Sequence, residues 1–257
     1  MKTKSLTTVG VAEYVMQYRD EIITKSGIHP YLNGVNLGNA CKVFANYLAM
    51  SQAFPYLQSG SQRALVLNQI DNNLDLTEKV QTTTVVGDFL SWDETGGNYV
   101  IKSMGNDGLL EMLNTKTYFH SEMFRVDAAN LLGVSVESVK PDFSTVTTMY
   151  LKHLLSGLES IDDVRRCACM VAFESHANLM IDSLWASVSV LFNVDKNHLP
   201  YFYVHVGGDD PAEAYHVAMV CAMIEKIVDS DKIDHFKNCF SEYWQSNIKW
   251  CSDVCKL

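Results

Sequence analysis

A carboxylate and an imidazole stand three residues apart in the segment Glu213-Ala-Tyr-His216. On an α-helix this spacing places both side chains on one face, so both can reach a single metal ion. Di-iron carboxylate bundles ligate metal with Glu-x-x-His pairs of this kind. The same face carries Val217 and Val220, which indicates a partly apolar surface. The pair also occurs by chance, so a solvated helix face is the alternative interpretation.

Other polar residues stand in apolar surroundings. His205 and Asp209 lie four positions apart beside a Gly-Gly pair, and Glu174 lies within Met-Val-Ala-Phe-Glu-Ser-His-Ala. Burying a carboxylate there is costly unless a partner, often a metal ion, takes up its charge. His176 points roughly 200° away from Glu174 around the same helix and cannot serve the same site. We therefore interpret His176 as structural or exposed.

Helical periodicity dominates the chain, and the only candidate for a strand is 80–86. The glycine-rich stretch 95–108 is expected to be a loop or insertion, and Pro55 is expected to end a helix. Asp210 is a candidate N-cap for the helix that bears Glu213. The pattern predicts one all-α domain over 1–257 with eight or nine helices: Val11–Thr24, Asn36–Ala53, 56–73, 76–92, Leu109–Leu132 closed by Gly133, 141–159, 162–192, 211–229 and 231–254.

Composition excludes several classes of protein. The net charge is −10, which argues against binding to nucleic acid or anionic membranes. No run approaches the ~18 apolar residues of a membrane span, and no signal peptide is evident. The seven cysteines lack the paired CxxC blocks of a zinc site. We therefore expect a soluble, cytoplasmic protein with reduced thiols.

The order of these residues resembles a known family. The motifs follow in the order of an acidic residue, His-Ser-Glu-Met-Phe, a Glu in a long helix, and Tyr-Phe-x-x-His followed by an acid and a His. This order is similar to that of the haem-oxygenase-like helical superfamily. The resemblance covers roughly residues 85–250 and is strongest to the iron-dependent, di-iron oxidase and oxygenase branch. This branch is related in fold to thiaminase II and pyrroloquinoline-quinone synthase, so the resemblance implies a haem-oxygenase-like bundle.

The resemblance also implies a set of metal ligands. The closing carboxylate is either Asp209, four residues after His205, or Glu213, which is paired with His216. The implied ligands are Glu94, His120, Glu174, His205, Asp209, Glu213 and His216. Three histidines with three carboxylates are a mixture that suits non-haem iron.

Two departures from the family pattern bear on this ligand set. The family's first carboxylate and histidine are seven apart, whereas Glu94 and His120 are 26 apart (120 − 94 = 26), and position 101 is Ile. The glycine-rich stretch 95–108 could be the insertion that accounts for the difference. Ala212 stands where the family's Asp-x-x-His would place histidine after Asp209. Two metal ions, one or none are therefore all compatible with the sequence.

The function implied by the resemblance is oxidation of a small organic substrate by dioxygen at ferrous iron, Fe²⁺, with one or two ions. The family's substrates differ too much to choose one. The rival hypothesis is a non-catalytic binding or interaction protein on the same scaffold, which the departures at Ile101 and Ala212 favour. The resemblance to this superfamily implies self-association, and two-fold homo-oligomers are the commonest kind, so we expect a homodimer. Other candidates are weaker: Cys169 is expected to be a buried thiol, and His29, before Pro30, is a poor haem ligand.

Overall fold

The computed structural model describes residues 10–207 and 211–257, and all regular structure within them is helical. The described residues form twelve α-helices rather than the eight or nine expected; eight of them have 13 or more residues and four are shorter. The all-α class is therefore confirmed, and no described residue lies in a strand. The helices are α1 (Val11–Ser26), α2 (Pro30–Gly34), α3 (Ala40–Asp71), α4 (Glu78–Glu94), α5 (Gly97–Met104), α6 (Thr115–Tyr118), α7 (His120–Leu132), α8 (Thr145–Leu158), α9 (Asp163–Phe192), α10 (Pro200–Val206), α11 (Ala212–Ile227) and α12 (Ile233–Val254).

The long helix α9 lies at the centre of the molecule. Its neighbours are α12, α11, α8, α4, α2 and α10. Asp162 caps its start by accepting hydrogen bonds from the backbone N–H groups of Val164 and Arg165, and Asn193 ends it in the left-handed conformation (φ 50°). Because other helices surround α9, most of its residues are buried on every side, including polar Glu174 and His176.

Proline does not end the second predicted helix. The two predicted segments, Asn36–Ala53 and 56–73, form one continuous helix, α3, with buried Pro55 in its interior. A proline inside a helix costs roughly 3 kcal/mol. Here α3 packs against α4, α7 and α8, and burial of its apolar side chains offsets that cost. The candidate strand 80–86 is likewise wrong, because these residues lie in α4.

The expected loop 95–108 is also wrong. It contains α5 and the start of a 3₁₀ turn that runs over Gly105–Leu113, and Gly96 and Gly105 adopt positive φ at either end of α5. The expected helix Leu109–Leu132 is divided into this turn, α6 and α7, with breaks at Asn114 and Phe119. Its predicted end is confirmed, since Gly133 caps α7 in the left-handed conformation (φ 65°).

One hydrophobic cluster includes buried residues from Val15 on α1 to Val254 on α12. None of the helices in the described part of the chain is both long and apolar enough to cross a membrane. The proposed N-cap Asp210 lies outside the described residues; α11 begins at Ala212, directly after Pro211.

Candidate metal centre

The first cluster consists of Glu94, His120 and His205, whose nearest ligand-type atoms all lie within 4.8 Å of one another. Glu94 is the last residue of α4, His120 the first of α7, and His205 lies on α10. Glu94 Oε2 is 3.5 Å from His120 Nδ1, and Glu94 Oε1 is 3.5 Å from His205 Nε2. All three side chains are buried, so the carboxylate lies between two imidazoles and away from bulk water.

The 25 residues between Glu94 and His120 lead away from the end of α4 and back to it. Gly96 has φ +87°, and a Cβ there would lie 2.5 Å from the carbonyl oxygen of Tyr118. Only glycine allows this backbone conformation and this close approach. This segment therefore closes beside Glu94, and it brings His120 next to that carboxylate although the two are far apart in sequence.

The second cluster consists of Glu174, Glu213 and His216, which also have ligand-type atoms within 4.8 Å of one another. Glu174 comes from α9 and the other two from α11, at the i, i+3 spacing that shares one helix face. His216 Nδ1 is 3.3 Å from Glu174 Oε2 and 3.7 Å from Glu213 Oε1. Each of these residues is only 1% exposed. The Glu213–His216 pair is thus on a buried face, and a solvated face is excluded for it.

Asp93 was missed by the sequence analysis. It is buried next to Glu94, and its Oδ2 accepts a hydrogen bond of 2.6 Å from His216 Nε2. The sequence does show two adjacent acids, Asp93 and Glu94, which could have indicated this site. Only Glu94 matched the family motif, so Asp93 was left out. Asp93 and Glu94 make α4 the element that touches both clusters.

Hydrogen bonds fix the tautomers of two histidines. His216 donates from Nε2 to Asp93, so without a second proton its Nδ1 is a lone pair that faces Glu174 and Glu213. His205 donates from Nδ1 to the carbonyl oxygen of Tyr201 at 2.7 Å, which leaves Nε2 facing Glu94. In both cases two acceptors face each other across a gap of 3.3–3.7 Å, an arrangement that requires a proton or a cation between them.

Burial and pairing shift the pKa values of these groups in opposite directions. Burial opposes the charge of His216, but hydrogen bonds to Asp93, Glu174 and Glu213 outweigh burial and raise the pKa of His216 well above its usual value. Burial likewise opposes ionisation of Glu94, yet the adjacent histidines hold its pKa well below the usual range. Burial raises the pKa of Glu174 to about 7, although the bond from His216 acts in the opposite direction. The clusters therefore hold strongly perturbed acids and bases, as functional sites often do.

Both clusters border one inner cavity of about 20 Å³, whose lining includes Glu94, Glu174 and Glu213. The hydroxyl groups of Tyr47 and Tyr201, which lie 2.7 Å apart, also line it. The other walls are mainly apolar: Met50, Phe54, Phe173, Ala177, Met180 and Ile181. A cavity of this size holds about one water molecule, so the carboxylates share a small and nearly dry space.

A hydrogen bond to the neighbouring helix α7 positions α10, which carries His205. Asp127 on α7 accepts a hydrogen bond of 2.9 Å from the backbone N–H of Tyr201 in the first turn of α10. Tyr201 in turn accepts the bond from His205. Burial raises the pKa of Asp127 to about 7, while the bond from Tyr201 acts in the opposite direction. The position of His205 thus depends on this interhelical cap.

A third group of ligand-type residues, His29, His176 and Cys251, is also buried. His29 Nδ1 accepts a hydrogen bond from the backbone N–H of Tyr31, so its proton is on Nε2, the atom 3.2 Å from His176 Nε2. Metal binding through His29 Nε2 would require that proton to leave, and Nδ1 cannot take it while Nδ1 accepts the N–H of Tyr31. His176 is buried rather than exposed, and its place in this group agrees with its separation from Glu174.

Six of the seven ligands expected from the sequence are therefore brought into two adjacent clusters. The seventh, Asp209, lies outside the described residues. Of the two alternatives for the closing pair, the described structure joins Glu213 and His216 to Glu174. Cys169 is a buried thiol on α9, and burial raises its pKa.

Comparisons with known proteins find similarity in fold. No protein-family model and no curated protein matches the sequence. The chain is similar to a crystal structure of a CADD-like protein of unknown function from Nostoc punctiforme PCC 73102, with a TM-score of 0.67, 13% identity, and coverage of 95% of this chain and 97% of that chain. A second crystal structure with the same description has a TM-score of 0.63, 11% identity, and coverage of 95% and 94%. At these identities the likeness shows the fold alone, a helical fold that fits the one expected from the sequence.

Proposed function

We propose that the protein is an iron-dependent oxidase or oxygenase that holds one ferrous ion in each cluster and oxidises a small organic substrate with dioxygen. One observation carries the proposal. His205 and His216 each donate the N–H on the far side of the ring to a buried acceptor, and the other ring nitrogen of each faces the cluster carboxylates, where a cation can take the place of a proton. Metal-ligating histidines are oriented in this way by a carboxylate or a backbone carbonyl.

Charge and unpaired atoms support a cation at each cluster. Four buried carboxylates, Asp93, Glu94, Glu174 and Glu213, carry four negative charges when ionised, which two divalent ions would balance. Glu174 Oε1 and Glu213 Oε2 have no hydrogen-bond partner among the described residues, and neither has His120 Nδ1. Buried polar atoms are rarely left unpaired, so these three atoms fit a site that is completed by metal.

The donor set favours iron. Each cluster mixes imidazole nitrogen with carboxylate oxygen and contains no thiolate. Magnesium and calcium prefer oxygen alone, and cuprous copper prefers sulfur. Ferrous iron accepts such a mixture, and when bound it supplies the activation of dioxygen for oxidation of an organic compound.

The remaining side chains have defined tasks at this centre. Asp93 accepts the Nε2 proton of His216, and the Tyr201 carbonyl accepts the Nδ1 proton of His205, so the other nitrogen of each ring is oriented towards the cluster carboxylates. The apolar walls of the inner cavity exclude bulk water from the reacting groups. The paired hydroxyl groups of Tyr47 and Tyr201 offer an O–H donor beside the carboxylates.

The rival hypothesis of a non-catalytic interaction protein rests on ligands lost at Ile101 and Ala212. The close approach of His120 to Glu94, and of Glu213 to His216, removes the need for a ligand at either position. We therefore favour the oxidase or oxygenase over the non-catalytic interaction protein.

Anaerobic loading with Fe(II), followed by metal analysis and then dioxygen consumption, tests the proposal. We expect about two iron ions per chain, and an absorbance change when dioxygen is added. Glu174→Ala and His205→Ala should each lower the iron content while helicity by circular dichroism is retained. Glu159→Ala and His198→Ala, at exposed positions, are the matched controls.

Sub-stoichiometric iron in the unmutated protein would favour the interaction protein instead. If both site variants bound iron normally and melted at a lower temperature, Glu174 and His205 would be ordinary polar residues of the core, whose truncation costs ~1–3 kcal/mol.

A further inference from the structure

A second, larger cavity lies on the outer side of the first cluster. It has a volume of about 260 Å³ and is enclosed by α5, α6, α7 and α10. His120 forms one wall, and its Nδ1 is the atom that lies 3.5 Å from Glu94. His120 therefore belongs both to the lining of this outer cavity and to the first cluster.

The inner cavity, at about 20 Å³, has no room for an organic molecule. A substrate of any size must therefore reach the first cluster from another side. The outer cavity borders a ligand residue and is large enough. Exposed Thr117 and Tyr99, which is 52% exposed, lie in its lining and give it an opening to solvent.

The walls of the outer cavity determine what it can bind. Met123, Pro200 and Val204 provide aliphatic surface, and the rings of Tyr99 and Tyr118 lie 6.0 Å apart at 34°. No carboxylate, ammonium or guanidinium group is among its described lining residues. A charged group buried here would find only hydroxyl groups and the His120 imidazole as partners among these residues, so its desolvation would be unfavourable.

The volume sets the size of the ligand. An apolar cavity of about 150 Å³ accepts benzene, so a cavity of about 260 Å³ accepts a two-ring compound. We propose that the outer cavity is the substrate-binding site and that it takes an uncharged, mainly apolar organic compound of about the size of naphthalene. Its role as a substrate site rests on the proposed function, whereas the binding itself does not require metal.

Binding of two matched probes to the metal-free protein tests this inference. 2-Naphthol is uncharged at pH 7, and naphthalene-2-carboxylate has the same ring system with a negative charge. We expect 2-naphthol to bind at least about tenfold more tightly in calorimetry, a difference of about 1.4 kcal/mol. Thr117→Trp should fill the opening and Tyr99→Ala should remove an aromatic wall, and each should weaken 2-naphthol binding by a similar factor. Thr24→Trp, at an exposed position on α1, should leave it unchanged.

Equal or tighter binding of the carboxylate would overturn the inference, as would 2-naphthol binding that neither cavity variant weakens, or no binding at all. The iron measurement separates the two proposals. A protein that loads iron without binding 2-naphthol keeps the proposed function and loses this site. One that binds 2-naphthol without loading iron keeps the cavity and loses the metal-dependent activity.

Discussion

Replacing Asp127 with asparagine should change how stability depends on pH. Asp127 is fully buried, and its pKa of about 7 exceeds the ordinary value of 3.8 because burial disfavours the carboxylate. Since the folded state holds this proton more tightly than the unfolded state does, stability is present at low pH and is lost as pH rises towards 7. From pH 5 to 7 the loss is about 2.3 kcal/mol, somewhat less than 1.36 kcal/mol for each unit because about half of the folded-state carboxyl is already ionised at pH 7.

Asp127→Asn removes this titration but keeps an oxygen to accept the N–H of Tyr201. Urea denaturation of the metal-free protein at pH 5, 6, 7 and 8 gives the free energy of unfolding for both proteins. Other groups titrate in both, so the informative quantity is the difference between the two curves. We expect asparagine to gain about 2–3 kcal/mol relative to aspartate from pH 5 to 7. Asp75→Asn, at an exposed position, is the control. Parallel curves for the Asp127→Asn and unmutated proteins would refute a raised pKa at Asp127.

Three other predictions concern separate parts of the molecule. Asp93→Ala should weaken metal binding at the second cluster by about 10–100-fold, because His216 loses the acceptor that orients it; unchanged affinity by competition with a chelator would contradict this role. Burial lowers the pKa of His29 to about 4, so its contribution to stability should be lost as pH falls from 6.5 to 4. His29→Asn, which retains an N-cap acceptor, should reduce that acid loss by up to about 3 kcal/mol in denaturation experiments, and an undiminished loss would assign it to other groups. The chain should form a dimer, and a mass of 28.9 kDa by light scattering at micromolar concentration would reject this.

The arrangement of histidine protons separates the candidate metal centre from other buried polar groups. Both this centre and the group around His176 consist of buried histidines close to other ligand types. In the centre, His205 donates one N–H to the Tyr201 carbonyl and His216 donates one to Asp93, so the other ring nitrogen of each faces the remaining cluster carboxylates. In the other group, the backbone N–H of Tyr31 forces the proton of His29 inwards. Proximity alone would have ranked the two groups equally.

The sequence by itself determined the fold class and the types of residue at the candidate site. Helix periodicity and end signals such as Gly133 act within a few residues, so they can be interpreted without knowledge of the tertiary structure. Glu174 was recognisable because a carboxylate in an apolar helical stretch needs a partner wherever the helix packs. The Glu213–His216 spacing implied a shared helix face for the same local reason.

The tertiary structure alone decided which of these residues meet. Pro55 stays inside α3 because packing against neighbouring helices offsets a local penalty, and local signals carry no information about that packing. His120 reaches Glu94 because the chain between them folds back on itself at Gly96 and Tyr118. Asp93 gained its role only because α11 places His216 opposite it, 123 residues later in the chain. Contacts between such distant residues depend on how whole helices pack, and helix packing is a property of the folded chain rather than of any short segment.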